Sequence, residues 1–230
     1  MLQPTKVRAI SLDLDDTLWP IWPVIERAER VLHEWLTAHA PMTAALCASP
    51  TALRDIRKEI GELRPDLHND LSALRRESIR LALSRAGDDP SLAEAAFDTF
   101  FDARQQVELF DDAREALEFL SARVPLVSLS NGNADLGRTG VAPFFRGAIS
   151  ARSFGVGKPD AAIFHAAAAA AGVPPEHVLH VGDDATLDVL GALNAGMQAA
   201  WVNRSDHEWP HEQRPHVTVS DLRQLCDLFR

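Results

Sequence analysis

The feature that most restricts the fold of this chain is an alternation of short apolar segments with helix-like segments from residue 111 onward. The apolar segments have the length of about four to eight residues that is typical of buried strands. Parallel strands need long connections, and helices supply them here, so the alternation favours a parallel sheet with helices on both faces. We therefore predict an α/β fold with a doubly wound, Rossmann-like parallel sheet.

One more apolar strand precedes this region and is separated from it by a long helical block. The strand covers residues 7–13, and residues 24–107 show only helical periodicity. This block predicts a bundle of about four helices inserted into the α/β fold. We predict a core domain of residues 1–19 and 108–230 and a helical cap of residues 20–107.

The element boundaries follow from the same periodicities and from turn residues. The predicted strands cover residues 7–13, 125–130, 147–151, 177–184, 197–203 and 216–220. The predicted helices cover residues 24–40, 51–63, 71–87, 91–107, 111–123, 159–172, 186–196 and 221–230. Ser91, with Glu94 three residues on, is the predicted N-cap of the last cap helix.

The charge of the chain argues against nucleic acid and membrane partners. Its 33 acidic and 23 basic residues give a formal net charge of -10, which repels nucleic acid phosphates and anionic lipid. The two cysteines, Cys47 and Cys226, form no CxxC motif, and neither a signal peptide nor a membrane-spanning apolar stretch is present. We predict a cytoplasmic protein that binds neither nucleic acid nor membrane. A small phosphorylated metabolite remains a suitable partner, because one local positive site can overcome a screened background charge.

Polar motifs follow the predicted strands of the inner sheet. DLDDT occupies residues 13–17, SLSNG residues 128–132 and GDDATLD residues 182–188, while GKPD at 157–160 precedes a helix. The carboxyl ends of parallel strands meet at one edge of the sheet, so we expect these motifs to converge. They would bring together several carboxylates, one lysine, one hydroxyl group and backbone amides freed by glycine.

This set of groups suits phosphoryl transfer. Carboxylate oxygens of Asp13 and Asp183 are hard ligands of the kind that Mg²⁺ prefers. The metal and Lys158 would neutralise the charge that develops on the phosphoryl oxygens, and Ser130 would donate a further hydrogen bond. Asp15, two residues after a nucleophilic Asp13, can protonate the leaving alkoxide and then act as base for the hydrolytic water.

The four motifs, in this order, resemble those of the haloacid dehalogenase superfamily, and the helical block resembles its helical cap. The resemblance implies that Asp13 is the nucleophile and Asp15 the acid and base. It implies metal ligation by Asp13, the main-chain carbonyl of Asp15 and Asp183. Ser130 and Lys158 are the implied phosphate contacts.

Three neighbouring residues of these motifs are predicted to assist. Asn131 is predicted to contact phosphate, and Asp188 to orient Lys158 or metal-bound waters. The less favoured alternative for Asp188 is a charge that stabilises a helix N-terminus. Asp184 fills a position that varies across the superfamily, so its supporting role is left open.

A narrower resemblance concerns the substrate. DLDDTLW followed by WPVIERAER, then SLSNGNADL, and HVGDDATLDVLGALNAGMQAAWVNR are similar to segments of bacterial FMN phosphatases. Those enzymes also act as 5-amino-6-(5-phosphoribitylamino)uracil phosphatases in riboflavin synthesis. The resemblance implies a phosphatase of small metabolites with FMN or a riboflavin precursor as substrate.

Other functions use similar groups and stay open at this point. Sugar phosphates or nucleotides are alternative substrates, and a phosphomutase would use a sugar phosphate in place of water. A haloacid dehalogenase is disfavoured by Asp15, since a departing halide needs no proton. Receiver domains that carry an aspartyl phosphate are about half as long and lack the helical insertion. A non-catalytic interaction protein is disfavoured by the intact motifs.

Residues outside the motifs give weaker signals. Trp19 and Trp22 lie just after the motif of Asp13, where packing in a core or between domains is favoured and stacking of one ring on a planar substrate is the alternative. Arg75 is a candidate substrate contact, although arginines such as Arg75 and Arg76 are more often solvated helix charges. Three histidines lie in the loop before the last predicted strand and at the first residue of that strand. Nearby prolines prevent a regular helix that would align them on one face, so solvated histidines are favoured over a metal site. These histidines are His207, His211 and His216.

Overall fold

The computed structural model describes residues 1–49 and 51–230, which form two compact units. The core unit combines Met1–Pro20 with Glu108–Arg230, and the helical unit is Ile21–Val107. Among the described residues, every helix is either too short or too polar to cross a lipid bilayer.

The core unit is built on a sheet of six parallel strands in the order β3-β2-β1-β4-β5-β6. The strands are β1 Ala9–Leu12, β2 Leu126–Ser130, β3 Gly147–Ser150, β4 Val178–Gly182, β5 Gln198–Val202 and β6 Val217–Val219. The strand order reverses at β1, which pairs with β2 on one side and β4 on the other. The predicted fold class is confirmed. The site is expected beside β1, because ligands of such sheets bind where the order reverses.

Helices cover the core sheet, and their apolar faces supply much of its packing. They are α6 Ala113–Ser121, α7 Ala151–Phe154, α8 Ala161–Ala171, α9 Gly191–Asn194 and α10 Leu222–Asp227. Helix α8 buries Phe164 and Ala168 in one cluster with Val127 and Ala199 of the sheet. A π-helical turn, Ala185–Leu190, leads into α9 where a single regular helix was predicted. Helix α7 was not predicted, because four residues carry too little periodicity to be recognised.

The helical unit contains five described helices where about four were predicted. They are α1 Ile21–His39, α2 Pro41–Leu46, α3 Ala52–Leu63, α4 Leu71–Ala86 and α5 Ala93–Arg104. Residues with apolar side chains on α1 and α5, including Leu32, Leu36 and Phe100, form its core. The additional helix α2 is short and begins at a proline, which fits the first turn of a helix.

The ends of two helices of the helical unit show where the sequence signals predicted the boundary and where they did not. Helix α4 starts after Asp70, whose carboxylate accepts a hydrogen bond from the Ala73 N–H, and ends at Gly87 in the left-handed conformation. The predicted N-cap at Ser91 is wrong. Asp89 instead accepts a hydrogen bond from the Ser91 N–H and caps a short 3-10 turn before α5.

Candidate active site

The loop after β1 holds the predicted nucleophile and the predicted acid and base. Asp13 is buried, and its N–H donates to the Val181 carbonyl of β4 at 2.9 Å, so the neighbouring strand positions its backbone. The loop then folds back, with the Asp16 N–H donating to the Trp19 carbonyl at 2.7 Å. Asp16 takes a positive φ of 58°, which aspartate tolerates better than most residues.

Asp15 and Trp19 are joined inside this loop. The Trp19 indole N–H donates to Asp15 Oδ1 at 2.8 Å, and the ring is completely buried. The prediction that Trp19 stacks on a substrate therefore needs correction, because neither face of its ring is accessible. The structure uses this side chain to orient the Asp15 carboxylate.

A buried ion network joins three of the four motifs. Lys158 Nζ lies 2.5 Å from Asp13 Oδ1 and 2.5 Å from Asp188 Oδ1, and all three side chains are at least nine-tenths buried. Burial opposes the charge of Lys158, but the two carboxylates raise its pKa above its ordinary value. Burial likewise opposes ionisation of Asp188, yet Lys158 and His180 hold its pKa below its ordinary value. Lys158 and Asp188 thus form the ionised pair, and the Asp13 carboxyl group contacts the Lys158 ammonium group of that pair.

Three groups contact the Asp188 carboxylate and fix its orientation: the Lys158 ammonium group, the Asp184 N–H and the His180 ring. Its Oδ2 accepts from the Asp184 N–H at 3.0 Å, and His180 Nε2 lies 3.1 Å from its Oδ1. A Cβ atom on Gly182 would lie 2.3 Å from the Asp188 carboxyl carbon, so this close approach requires glycine. The carboxylate thus points into the network and does not serve as a solvated helix charge.

His180 also belongs to this network, although it lies in none of the four motifs. Its Nδ1 is 2.8 Å from the Ser11 hydroxyl on β1, and both residues are buried. Burial lowers the pKa of His180, although Asp188 opposes this shift. The ring is therefore neutral, with the Ser11 hydroxyl donating to Nδ1 and Nε2–H donating to Asp188. A polar residue inside the apolar strand HVLHVG was the available signal.

The carboxylates of Asp13, Asp183 and Asp188 form the candidate cation site. One oxygen from each lies within 4.8 Å of the others. Burial, with the nearby charges of Asp188 and Asp16, raises the pKa of Asp183 to about 7. Burial is also the main reason that the pKa of Asp13 is raised well above its ordinary value, partly offset by Lys158. Three carboxylates face one lysine, so a divalent cation matches both the oxygen donors and the excess negative charge.

Asp183 is positioned from its two sides by residues outside the predicted set. The Thr17 hydroxyl donates to Asp183 Oδ1 at 3.1 Å, and the Trp201 indole N–H donates to the Asp183 main-chain carbonyl at 2.7 Å. Asp184 has a different task, since its Oδ1 accepts from the N–H groups of Thr186 and Leu187. Its open role is thus that of a helix N-cap.

The motif after β2 contributes the Ser130 hydroxyl group to the site, and its Asn131 holds the backbone of Lys158. Ser130 is buried, and its hydroxyl accepts from the Gly132 N–H at 2.9 Å. Asn131 accepts from the Lys158 N–H at 2.7 Å and donates to the Lys158 carbonyl at 2.9 Å. The prediction that the Asn131 side chain binds phosphate therefore needs correction, because both ends of its amide hold the Lys158 backbone. Gly157 permits this contact, since a Cβ there would approach Asn131 Oδ1 to 2.8 Å.

The predicted substrate contacts of the helical unit differ in exposure. Arg75 is only 7% exposed, and its guanidinium lies 3.7 Å from the Phe100 ring centroid, so it is not a solvated helix charge. Trp22 is 60% exposed, with the Arg54 guanidinium 5.5 Å from its ring centroid. Arg76 is half-buried and pairs with Glu94.

The three loop histidines do not meet at one site. His211 Nε2 contacts the Thr186 hydroxyl at 2.8 Å, and His216 Nδ1 accepts from the Ala199 N–H at 3.1 Å. His207 is exposed. Within the described part of the chain, the group of carboxylates above is the cluster of metal-ligating side chains.

A model of the family "haloacid dehalogenase-like hydrolase" matches residues 7–196, a span that includes all four motifs. The chain belongs to this family. The resemblance drawn from the ordered motifs is thereby confirmed, and the chain is a hydrolase.

The sequence relatives of this hydrolase include phosphatases. It is 31% identical to the 5-amino-6-(5-phospho-D-ribitylamino)uracil phosphatase of Escherichia coli, with 97% of each chain covered. It is 36% identical to a phosphoserine phosphatase of Thermus thermophilus, over 66% of this chain and 63% of the other. With its relatives, the family assigns this hydrolase as a phosphatase.

A solved structure shares the complete fold of this hydrolase. The crystal structure of a 2-haloacid dehalogenase from Pseudomonas syringae superposes with a TM-score of 0.90 and 36% sequence identity. The match covers 97% of this chain and 98% of the other. The fold is therefore the same in both proteins.

Proposed function

We propose that this protein is an Mg²⁺-dependent phosphomonoesterase that hydrolyses small phosphorylated metabolites through an aspartyl phosphate on Asp13. The observation that carries the proposal is the buried contact of Lys158 with Asp13 and Asp188, next to the carboxylate of Asp183. Such a site combines a nucleophile, a positive charge for the phosphoryl oxygens and donors for a cation. Mg²⁺ would be held by Asp13, Asp183 and the Asp15 main-chain carbonyl, while the nearby Asp188 is engaged by Lys158, and the ion would supply charge neutralisation at the phosphoryl group.

In the first step, a carboxylate oxygen of Asp13 attacks phosphorus and the bond to the leaving oxygen breaks. Asp15 gives its proton to the leaving alkoxide, and the Trp19 N–H keeps that carboxyl group oriented. Lys158 and the Ser130 hydroxyl stabilise the charge on the transferred group. In the second step, Asp15 takes a proton from water, water oxygen attacks phosphorus, and the bond to Asp13 breaks.

Asp15 is also the reason to prefer a phosphatase over a dehalogenase. Alkyl halide cleavage by a carboxylate releases a halide that requires no general acid. In this chain the Asp15 carboxylate is oriented by a dedicated hydrogen bond from a buried tryptophan. An acid that is positioned in this way serves a leaving group that must be protonated, such as an alkoxide.

The leading substrates are FMN and 5-amino-6-(5-phosphoribitylamino)uracil. The support is the similarity over 97% of both chains to the Escherichia coli phosphatase that is named for the pyrimidine compound. The Thermus thermophilus relative, a phosphoserine phosphatase, keeps other small monoesters as alternatives. We propose that residues 20–107 act as a cap whose side chains recognise the leaving group.

One comparison of substrates tests this function. Phosphate release from p-nitrophenyl phosphate, and halide release from 2-chloropropionate, are measured with Mg²⁺ for the unchanged protein and for Asp15→Asn. We expect phosphate release alone, and a loss of at least a hundredfold in kcat for Asp15→Asn. Halide release that survives in Asp15→Asn would instead support a dehalogenase. The values of kcat/KM for FMN, the pyrimidine compound, phosphoserine and sugar phosphates then rank the substrates.

A further inference from the structure

Several arginine side chains lie close together inside the helical unit, around one glutamate. Glu29 accepts three contacts from Arg54, the shortest being 2.6 Å from Nη2. Arg75 Nη1 lies 3.8 Å from Glu29 Oε1. Arg57, Arg54 and Arg104 are also near enough to lower the pKa of Arg75 through their positive charges. The cluster therefore contains more positive than negative charge.

Arg75 lacks an acceptor for its hydrogen bonds. The guanidinium group carries five N–H donors, and its distance to Glu29 is too long for a hydrogen bond. Among the residues that the structure describes, no side chain or carbonyl accepts a hydrogen bond from it. Phe100 covers one face of the group, and cation–π contact does not satisfy the N–H donors in its plane. None of the Arg75 nitrogen atoms is among the fully enclosed side-chain atoms of the described residues that lack a partner, so these donors are reached by solvent and are open to an acceptor that arrives from it.

The charge of the cluster limits the chemistry of that acceptor. Burial, followed by the positive charge of Arg57, lowers the pKa of Arg75 to about 9, so the group is still protonated at neutral pH. Burial also lowers the pKa of Arg57, and Glu29 only partly offsets this. A neutral ligand would accept hydrogen bonds from Arg75 but would leave the excess positive charge of the cluster unbalanced. An oxyanion corrects both, and its paired oxygens match the planar fork of a guanidinium.

We propose that Arg75, Arg57 and Arg54 form a binding site for an oxyanion within the helical unit. The bound group is a carboxylate, sulfate or phosphate that accepts hydrogen bonds from Arg75 and is stabilised by the positive charges of Arg57 and Arg54. About 9% of the Arg75 side chain is exposed, which leaves an approach for a small group. The exposed ring of Trp22, beside Arg54, offers an apolar contact for the organic part of such a ligand. The site is formed by helical-unit residues and does not depend on hydrolysis at Asp13.

Inorganic sulfate is the probe for this site. The midpoint of thermal unfolding is measured against sodium sulfate at constant ionic strength, for the unchanged protein, Arg75→Gln and Arg57→Gln. Arg85→Gln is the matched control, since Arg85 on α4 pairs with Glu59 on α3 in an exposed ion pair. We expect at least a tenfold weaker apparent sulfate affinity in the two cluster variants and less than a twofold change in the control. Any sulfate that binds the core unit stabilises all four proteins alike and cancels in the comparison.

A second measurement distinguishes the two sources of the oxyanion. The ratio of kcat/KM for phosphoserine to that for phosphoethanolamine, which lacks the carboxylate, is compared in the same four proteins. A tenfold fall of this ratio in both cluster variants assigns the oxyanion to a second acidic group of the substrate. An unchanged ratio, with weakened sulfate binding, assigns it to a free anion that binds beside the substrate.

The result that overturns the proposal is sulfate stabilisation of Arg57→Gln and Arg75→Gln equal to that of the unchanged protein. If Arg75→Gln does not fold, Arg57→Gln decides, because Arg57 is half-buried. A protein that releases phosphate from no ester would contradict the proposed function. The sulfate titration would still test the arginine site, so the two failures are distinguishable.

Discussion

Replacement of His180 provides the sharpest test of the buried network. His180 Nε2–H donates to Asp188, and Asp188 in turn contacts Lys158. Glutamine places its amide nitrogen near the position of Nε2 and can keep this donation. Asparagine places its amide near Nδ1, so it can keep only the contact with Ser11. Leucine keeps neither contact, and the three variants therefore separate the two ends of the ring.

The size of the effect follows from the two hydrogen bonds. A hydrogen bond to a charged group contributes about 1.5–3 kcal/mol, and a neutral one about 0.5–1.5 kcal/mol. His180→Leu should therefore lower the free energy of unfolding by about 2–4.5 kcal/mol. If Asp188 loses orientation when this donor is removed, kcat falls by about tenfold to a hundredfold, equivalent to a barrier increase of about 1.4–2.7 kcal/mol.

The assay combines steady-state kinetics with urea unfolding. We expect kcat to be near that of the unchanged protein in His180→Gln, and strongly reduced in His180→Asn and His180→Leu, with smaller changes in KM. A purely structural role would lower the free energy of unfolding without separating the Gln and Asn variants in kcat. Equal kcat in those two variants would refute the link from His180 through Asp188 to Lys158.

Three further predictions concern the carboxylates. Asp13→Asn should lower kcat for p-nitrophenyl phosphate more than tenfold, a barrier change above about 1.4 kcal/mol, while the circular dichroism spectrum remains unchanged. A variant that keeps more than a tenth of the activity would exclude Asp13 as the nucleophile. The pKa of Asp183, raised to about 7 from an ordinary 3.8, means that the folded protein binds more protons than the unfolded chain between these values. Without metal, thermal stability should therefore fall as pH rises from about 4 to about 7, and Mg²⁺ should reverse this trend because it binds the ionised carboxylate; a pH dependence that Mg²⁺ leaves unaltered would contradict the metal site. Gly182→Ala should reduce both kcat and the free energy of unfolding, since the new methyl group would overlap Asp188; wild-type values of both would show that the carboxylate can move aside.

Much of the fold is determined by patterns that are local in the chain. Helical periodicity and Gly87 placed α4 within one residue of its observed end, because a C-terminal glycine acts on its immediate neighbours. The residues of the candidate site could also be predicted from the sequence, because parallel strands bring their carboxyl ends to one edge of the sheet whatever the strand order. Asp13, Lys158 and Asp188 could thus be expected together before their distances were known.

The partners of individual side chains were decided only by the tertiary structure. His180 and Ser11 are 169 positions apart in sequence, and they meet because β4 pairs directly with β1. Asn131 and Trp19 were predicted to contact substrate, yet each is engaged by a neighbouring part of the site. A buried polar side chain bonds to the partner that the strand order and the path of the loops bring within hydrogen-bond distance. The residues next to it in the sequence indicate neither the strand order nor the loop path.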